Sequence, residues 1–243
     1  MRKIARRFYQ WAKFHLLYFL SDTYAYCNVQ LALDKRVMSK KIIFRIFRQK
    51  YEVQECRVVK EYCKKDDVIL ELGTGVGFIS LFASQYCSFK NIYTFEANPL
   101  LIPLIKRNFE LNKCFPTVQN CLLVNNPVLP HSDFYVCEDF YSSSLSRPAQ
   151  YKEVIKVESR DFSETLNAIR PNFLIVDIEG FEYELLNNIQ LPSFVQKILI
   201  ELHPHKTTCE VDLVDKFQRE GFEIDMEKLQ VNQLAGIRLH GKR

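Results

Sequence analysis

The chain has no stretch rich in serine, glycine or proline, no internal repeat and no low-complexity segment, which excludes a disordered or linker-built protein. It offers no run approaching the roughly 20 apolar residues that a membrane-spanning helix needs. It also lacks any Cys-x-x-Cys pair or zinc-type Cys/His spacing, although eight cysteines (27, 56, 63, 87, 114, 121, 137 and 209) are scattered along it. They read as free thiols in a reducing compartment rather than as a metal or disulfide framework. The stretch RKIARRFYQWAKFHLLYFLSD begins basic, as a signal peptide would, but its uncharged run is short, contains His15, and no small-x-small cleavage site follows. The expectation is a cytoplasmic protein.

What remains is the composition of an ordinary folded domain, with 47% apolar and 26% charged residues over 243 positions, long enough to bury a full α/β core. The net charge of +4 hides an asymmetry. Residues 1–50 carry 12 lysines and arginines against 2 acids, whereas 51–243 carry 21 against 27. Ile4, Phe8, Trp11, Ala12, His15 and Phe19 recur at helical spacing among Arg2, Lys3, Arg6, Arg7 and Lys13, which predicts a basic amphipathic helix. Docking of this helix on the rest of the protein is the plainer expectation, with peripheral contact to a membrane surface as the alternative. A second helix is expected near 37–48, giving a basic helical extension over 1–50 ahead of a larger domain over 51–243.

From Tyr51 the pattern changes. A helical stretch (51–64) leads into the apolar run DVILEL, followed by a helix near 77–86 and the strand NIYTFE at 91–96. A further helix is expected to open with Asn98 as N-cap and Pro99 in first position, which makes Pro103 a local kink. Strands are expected at 117–124, 134–137, 154–157, 173–178 and 197–202, helices near 181–188 and 210–220, and two closing strands in FEIDMEKLQVNQLAGIRLH. Strand and helix in alternation predict a doubly wound, mostly parallel α/β sheet.

ELGTGVG places Gly73, Gly75 and Gly77 directly after a strand and before a helix, where bare backbone can turn sharply and approach a nucleotide-like ligand. The dinucleotide fingerprint sets its third glycine three positions after the second; here the spacing is two, and Glu71 stands two residues ahead of the first. This departure points away from a nicotinamide or flavin and toward S-adenosyl-L-methionine, which has no pyrophosphate to seat. Glu96 ends the next strand, placed to accept hydrogen bonds from ribose hydroxyls, and Asn120 and Cys121 end the one after. Residues 73–77, 96–98, 120–121, 177–180 and 203–205 all fall at strand carboxyl ends, where open α/β sheets bind ligands.

From YEVQECRVVKEYCKKDDVILELGTGVGFISLFA through YTFEANPLLIPLIKRNFELN and SSSL to FLIVDIEGFEYELLNNI and ILIELHP, roughly 51–204, the chain resembles the FkbM family of S-adenosylmethionine-dependent methyltransferases. The glycine loop is common to methyltransferases, whereas Asp-x-Glu-Gly combined with Glu-Leu-His-Pro is narrower. The resemblance implies a class I methyltransferase (Rossmann-like) fold, with a seven-stranded sheet whose last strand is antiparallel, and O-methylation of a sugar, glycan or natural-product hydroxyl. By position it implies that Glu71, Gly73, Thr74, Gly75 and Gly77 line the methionine and ribose side. Glu96 would meet the ribose hydroxyls and Asp177 the cofactor amino group or the reacting centre; Ala97 and Asn98 beside Glu96 are further cofactor-binding candidates, and topology alone places Asn120 and Cys121 where a side chain could touch an adenine ring. The loop departs from the Asp-x-Gly-Ala-Asn-x-Gly of many members.

Methyl transfer from a sulfonium depends chiefly on alignment and exclusion of water, but a sugar hydroxyl is a weak acid and needs a proton acceptor within reach. Asp177, Glu179, His203 and His205 are the candidates, with Asp177, Glu179 and His203 the expected catalytic set. Alternation along 173–178 would turn Asp177 and Glu179 to one side. That suits a pocket wall, a base with its partner, or two oxygen ligands for Mg²⁺. A metal site needs more oxygen ligands than the sequence places, so none is predicted. The loop EDFYSSSL (138–145), with Ser143 and Ser144, is a candidate substrate edge. Nucleic-acid methylation would use the basic arm, but DIEGFE stands where a Pro-Pro-aromatic grip on a flipped base belongs, and carboxylates there repel phosphate. A module that binds the cofactor without catalysis is the other alternative.

Overall fold

The computed structural model describes residues 13–137, 150–203, 209–229 and 233–238; Ile4, Phe8, Trp11, Ala12, Ser143, Ser144, Pro204 and His205 lie outside them. A helix over 13–20 (α1) precedes a hairpin of β1 (Thr23–Tyr26) and β2 (Val29–Ala32), then α2 (Lys40–Phe47) and α3 (Val53–Tyr62). The alternating part runs β3 (Ile69–Leu72), α4 (Phe78–Ala83), β4 (Ile92–Phe95), α5 (Ile102–Leu111) and β5 (Thr117–Gln119). There follow β6 (Leu122–Val124), β7 (His131–Val136), β8 (Glu153–Asp161), α6 (Phe162–Ile169), β9 (Phe173–Val176), α7 (Glu182–Leu186) and β10 (Lys197–Glu201). The chain closes with α8 (Cys209–Arg219), β11 (Phe222–Ile224), α9 (Met226–Leu229) and β12 (Gln233–Arg238).

Seven strands form one sheet in the order β11-β12-β10-β9-β3-β4-β5. The five from β10 to β5 pair in parallel, and β12 is antiparallel to both of its neighbours. This is the expected class I methyltransferase arrangement. The central strands ILEL and FLIV are buried at every residue, as strands covered on both faces must be. Their alternating side chains divide between two cores. Ile69 joins Phe78, Ile105 and Phe173 on one face, and Leu70 and Leu72 join Phe162, Leu185 and Phe217 on the other.

Three expectations are corrected. Residues 117–124 are two strands in different sheets, because the chain leaves the main sheet at Asn120 and pairs β6 with β8 in a small β6-β8-β7 sheet. Asn98 does not cap a helix; its side chain accepts from Leu100 N at 3.0 Å in a local turn, and α5 begins only at Ile102 with Pro103 in its first turn. No amide proton is missed there, so Pro103 starts the helix rather than kinking it. In α1 the docked face is Phe14, Leu17 and Tyr18, not His15 and Phe19. Phe14 is drawn inward by Phe44 and Phe47 of α2, at ring separations of 4.8 and 5.7 Å.

The N-terminal hairpin is fastened by polar bonds as well as by packing. Buried Asn108 on α5 accepts from Ala32 N at 2.7 Å and donates to Val76 O at 2.8 Å, and Asn112 one turn later exchanges two 2.8 Å bonds with the backbone of Gln30. Two asparagines thus stand in for a partner strand along β2, whose backbone groups would otherwise be buried unpaired. Among the described residues, no helix is long and apolar enough to cross a membrane.

At the amino ends of the central strands, Lys197 Nζ lies 2.6 and 2.5 Å from the two oxygens of Asp67 and 3.0 Å from Tyr62 O, and Asn172 donates to Asp67 at 3.0 Å. The pair is nearly sealed from water, so removing one partner strands a buried charge. Asp67→Ala is expected to lower unfolding free energy by about 3–5 kcal/mol, read from urea midpoints. The double change Asp67→Leu/Lys197→Met should cost much less.

Candidate active site

The glycine turn forms where β3 runs out of sheet to pair with. Gly73 N donates to Phe95 O at 2.9 Å and Gly77 N returns to Thr74 O at 2.8 Å, closing the turn before α4. Gly73 has φ +85°, and a Cβ there would overlap the Asp177 carbonyl; no other residue fits. Gly77 faces away, since a Cβ on it would press on the Phe109 ring at 2.9 Å, so it serves helix packing. Thr74 and Thr94 share a 2.5 Å hydroxyl contact beneath the loop. Glu71 receives the Ser80 hydroxyl, which ties β3 to α4. Burial pushes its carboxyl up to about 7, against the Ser80 and Thr94 hydrogen bonds.

Glu96 accepts from Gly75 N at 2.9 Å through one oxygen and from Asn98 N at 2.7 Å through the other. Burial raises it to about 7, while those N–H groups pull the other way. Asn120 donates to Glu96 O at 2.7 Å and Ala97 O at 3.1 Å, locking the end of β4.

On the next strand, Asp177 N still bonds Leu72 O at 2.9 Å, but β9 stops at Val176. Glu179 and Gly180 then take left-handed φ of 55° and 94° and reverse the chain into α7. For a glutamate that conformation costs about 1 kcal/mol or more. Glu182 compensates: one of its oxygens accepts from Ile178 N at 3.2 Å, Gly180 N at 3.0 Å and His203 Nδ1 at 3.0 Å. The other ring nitrogen of His203 lies 3.2 Å from Glu179 Oε2 and 3.9 Å from Asp177 Oδ1. Strand alternation therefore does not align the two acids; a tight turn and a shared histidine do.

The charges shift accordingly. Burial alone would lower His203, but the hydrogen bond to Glu182 and the charges of Glu182, Glu179 and Glu201 lift it to about 9. Glu179 rises to about 7 through burial, against the attraction of His203. Asp177 is pushed well above the usual carboxylate range by burial and by Glu201 and Glu52. Its Oδ1 is buried without a hydrogen-bond partner.

These elements surround a cavity of about 740 Å³, within the range of small-molecule sites. Of the residues singled out in the sequence, Glu71, Gly73, Thr74, Gly75, Glu96, Ala97, Cys121, Asp177, Glu179 and His203 line it. Gly77, Asn98 and Asn120 are not among its lining residues and support it from behind. Sequence reasoning missed Arg45, Tyr51, Glu52, Glu55 and Glu201, which also line it. Glu201 was within sight in ILIELHP; Glu52 and Glu55 arrive from α3, which no strand-end rule covers. Ligating atoms of Asp177, Glu179 and His203 lie within 4.8 Å of one another, and so do those of Glu52, Glu55 and Glu201. The fold thus brings together in space groups that spacing alone does not place.

No curated protein sequence matches the chain. Among solved structures it is similar to precorrin-6y C5,15-methyltransferase from Geobacter metallireducens GS-15, with TM-score 0.47 and 16% identity over 80% of this chain and 82% of that one. It is similar also to magnesium protoporphyrin IX methyltransferase from Synechocystis PCC 6803 with bound SAM, with TM-score 0.46 and 12% identity over 82% and 83% of the two chains. The signature of the Methyltransferase FkbM domain matches residues 67–224, from the aspartate ahead of β3 to the end of β11. The match spans well over half of the chain, which belongs to the FkbM family of S-adenosylmethionine-dependent methyltransferases.

Proposed function

We propose that this methyltransferase acts on a hydroxyl oxygen of a sugar, glycan or comparable polyol held over Asp177, Glu179 and His203. The observation that carries the reading is the Oδ1 of Asp177, buried without a hydrogen-bond partner beside the Glu179–His203 pair. A buried acceptor without a donor is costly, and an incoming hydroxyl or ammonium relieves it.

The residues of the glycine turn fit S-adenosylmethionine. Each Glu96 oxygen spends one acceptor site on a backbone N–H and keeps another for a ribose hydroxyl. Ala97, Leu122 and Phe134 offer apolar walls for a purine, and the bare backbone at Gly73 and Gly75 admits the chain between them. When bound, the nucleotide supplies a methyl group on a positively charged sulfur.

The chain's own contribution is to place the acceptor and take its proton. With a carboxyl near 7, Glu179 is partly ionised at neutral pH, the poise a general base needs. His203, protonated up to about 9, donates to Glu182 and forms an ion pair with Glu179 at 3.2 Å, so it orients the base rather than acting as one. The many carboxylates on the wall favour a neutral or cationic acceptor over a phosphate-bearing one.

The direct test follows a labelled methyl group into a panel of polyols and glycans. The product should be an ether that survives mild alkali; an alkali-labile ester or a methylamine would overturn the assignment. Gly75→Val is expected to weaken S-adenosylhomocysteine binding at least about tenfold by calorimetry, since one lost contact of roughly 1.4 kcal/mol suffices; unchanged affinity would remove the nucleotide from this turn.

Glu179→Gln should leave nucleotide affinity intact and lower kcat by about 10²–10⁴. In the parent enzyme, kcat/KM should rise as Glu179 loses its proton near pH 7 and fall as His203 loses its proton near pH 9. The acid limb should be absent in the variant.

A further inference from the structure

α1 is apolar on two opposite sides. Phe14, Leu17 and Tyr18, at i, i+3 and i+4, pack into the protein. Leu16, Phe19 and Leu20 repeat the same spacing two residues on, and are 62%, 70% and 75% exposed. One stripe is explained by the fold; the other stands exposed. A helix apolar all round is normally buried all round, and three adjoining large apolar side chains on one helix form a patch rather than scattered exposures.

The surroundings of the stripe are basic. Between residues 13 and 50 the chain carries the exposed Lys13, Lys35, Arg36, Lys40, Lys41 and Arg48, besides Arg45 and Lys50, which line the cavity, against two acids, Asp22 and Asp34. Asp34 is already engaged by Arg36 at 2.6 Å. Lys35 and Lys40 lie over the Tyr18 ring at 5.1 and 5.4 Å, which holds their charge beside α1. Phe44, on the neighbouring helix, is partly exposed and touches Phe14. The preceding sequence adds Arg2, Lys3, Arg6 and Arg7.

We propose that α1 and the basic surface of α2 form a docking face for an anionic lipid bilayer, with Leu16, Phe19 and Leu20 entering the headgroup boundary. An apolar stripe flanked by lysine and arginine matches that interface on both counts, since acyl chains take the leucines and anionic headgroups take the cations. RNA would use the charge and the single ring of Phe19, but Leu16 and Leu20 offer no stacking surface for bases. A second copy of the chain satisfies only the apolar stripe, because pairing two such faces would bring like charges together. This surface is independent of the reading of the active site.

The test is co-sedimentation of the full chain with vesicles of phosphatidylcholine alone or with phosphatidylserine as roughly a third of the lipid. The protein should pellet with the anionic vesicles only, and the bound fraction should fall about tenfold between about 0.1 and about 0.5 M salt. The triple change Leu16→Ser/Phe19→Ser/Leu20→Ser should lower vesicle binding at least about tenfold while thermal unfolding and S-adenosylhomocysteine affinity stay at parental values. Failure to pellet, equal pelleting with neutral vesicles, or an unaffected triple variant would each overturn the proposal. So would an RNA complex, or a concentration-dependent dimer, that the triple variant abolishes while vesicle binding persists.

Discussion

The site rests on one approach between two stretches of backbone. Gly73 and Asp177 follow neighbouring parallel strands whose register sets Leu72 opposite both Phe95 and Val176. The carboxyl ends of β3, β4 and β9 therefore finish at one level, and their next residues, Gly73, Glu96 and Asp177, meet at a common edge. That contact tolerates no side chain at position 73. Because the two turns touch, whatever lies along the glycine loop is held within reach of Asp177, and neither loop can shift without displacing the other. At the opposite ends, the Asp67–Lys197 pair ties the start of β3 to β10, with Asn172 ahead of β9 bonded to Asp67, so the register is held at one edge by charge and at the other by close packing.

The second constraint is electrostatic. Glu52, Glu55, Glu96, Asp177, Glu179 and Glu201 all border a single cavity, and burial together with mutual repulsion raises several of them. Concentrating acids in this way opposes folding, since each must be either neutral or paired in a region of low polarity. His203 is the group through which the cluster is organised. It is hydrogen-bonded to Glu182 and ion-paired with Glu179, and the charges of Glu182, Glu179 and Glu201 together favour its protonated form. Glu182, in turn, spends its other contacts on the backbone of the strained turn. Conformational strain at Glu179 and charge at His203 are thus balanced by the same carboxylate, as expected where a fold departs from local preference to build a site.

Much of this was legible in the residues because local rules and tertiary structure agreed. β3 and β9 read as buried strands from uninterrupted apolar runs, and the glycines of the loop from their position between strand and helix. Asp177, Glu179 and His203 were visible as strand-end groups in a doubly wound sheet, although the reason for their convergence was not. It depends on two left-handed residues and on Glu182, whose place at the start of α7 looks in sequence like any acid favouring a helix dipole. Asn98 misled for a related reason: an asparagine before proline has the chemistry of a cap, and here the same side chain closes a turn one residue pair earlier. The small sheet of β6, β7 and β8 escaped because its pairing is non-local, and nothing between Gln119 and Leu122 marks a change of sheet except a single buried cysteine.

Glu52 and Glu55 mark the deeper limit of strand-end reasoning. They come from the residue capping α3 and from its first turn, on a helix that packs beside α4, and they enter the cavity only because the N-terminal elements are folded over it. Tyr26 stacks on Phe78 at 5.1 Å and Tyr51 meets the same ring at 5.7 Å, so the hairpin and the residues entering α3 are fixed to the first residue after the glycine loop. Glu52 itself takes a left-handed φ of 49°, the conformation that bends the chain from α2 into α3 and leaves its carboxylate at the cavity. Ile42 and Arg45 of α2 reach the same wall, while Phe44, between them in sequence, stands on the outer side. One helix therefore has a face in the cavity and another on the basic surface.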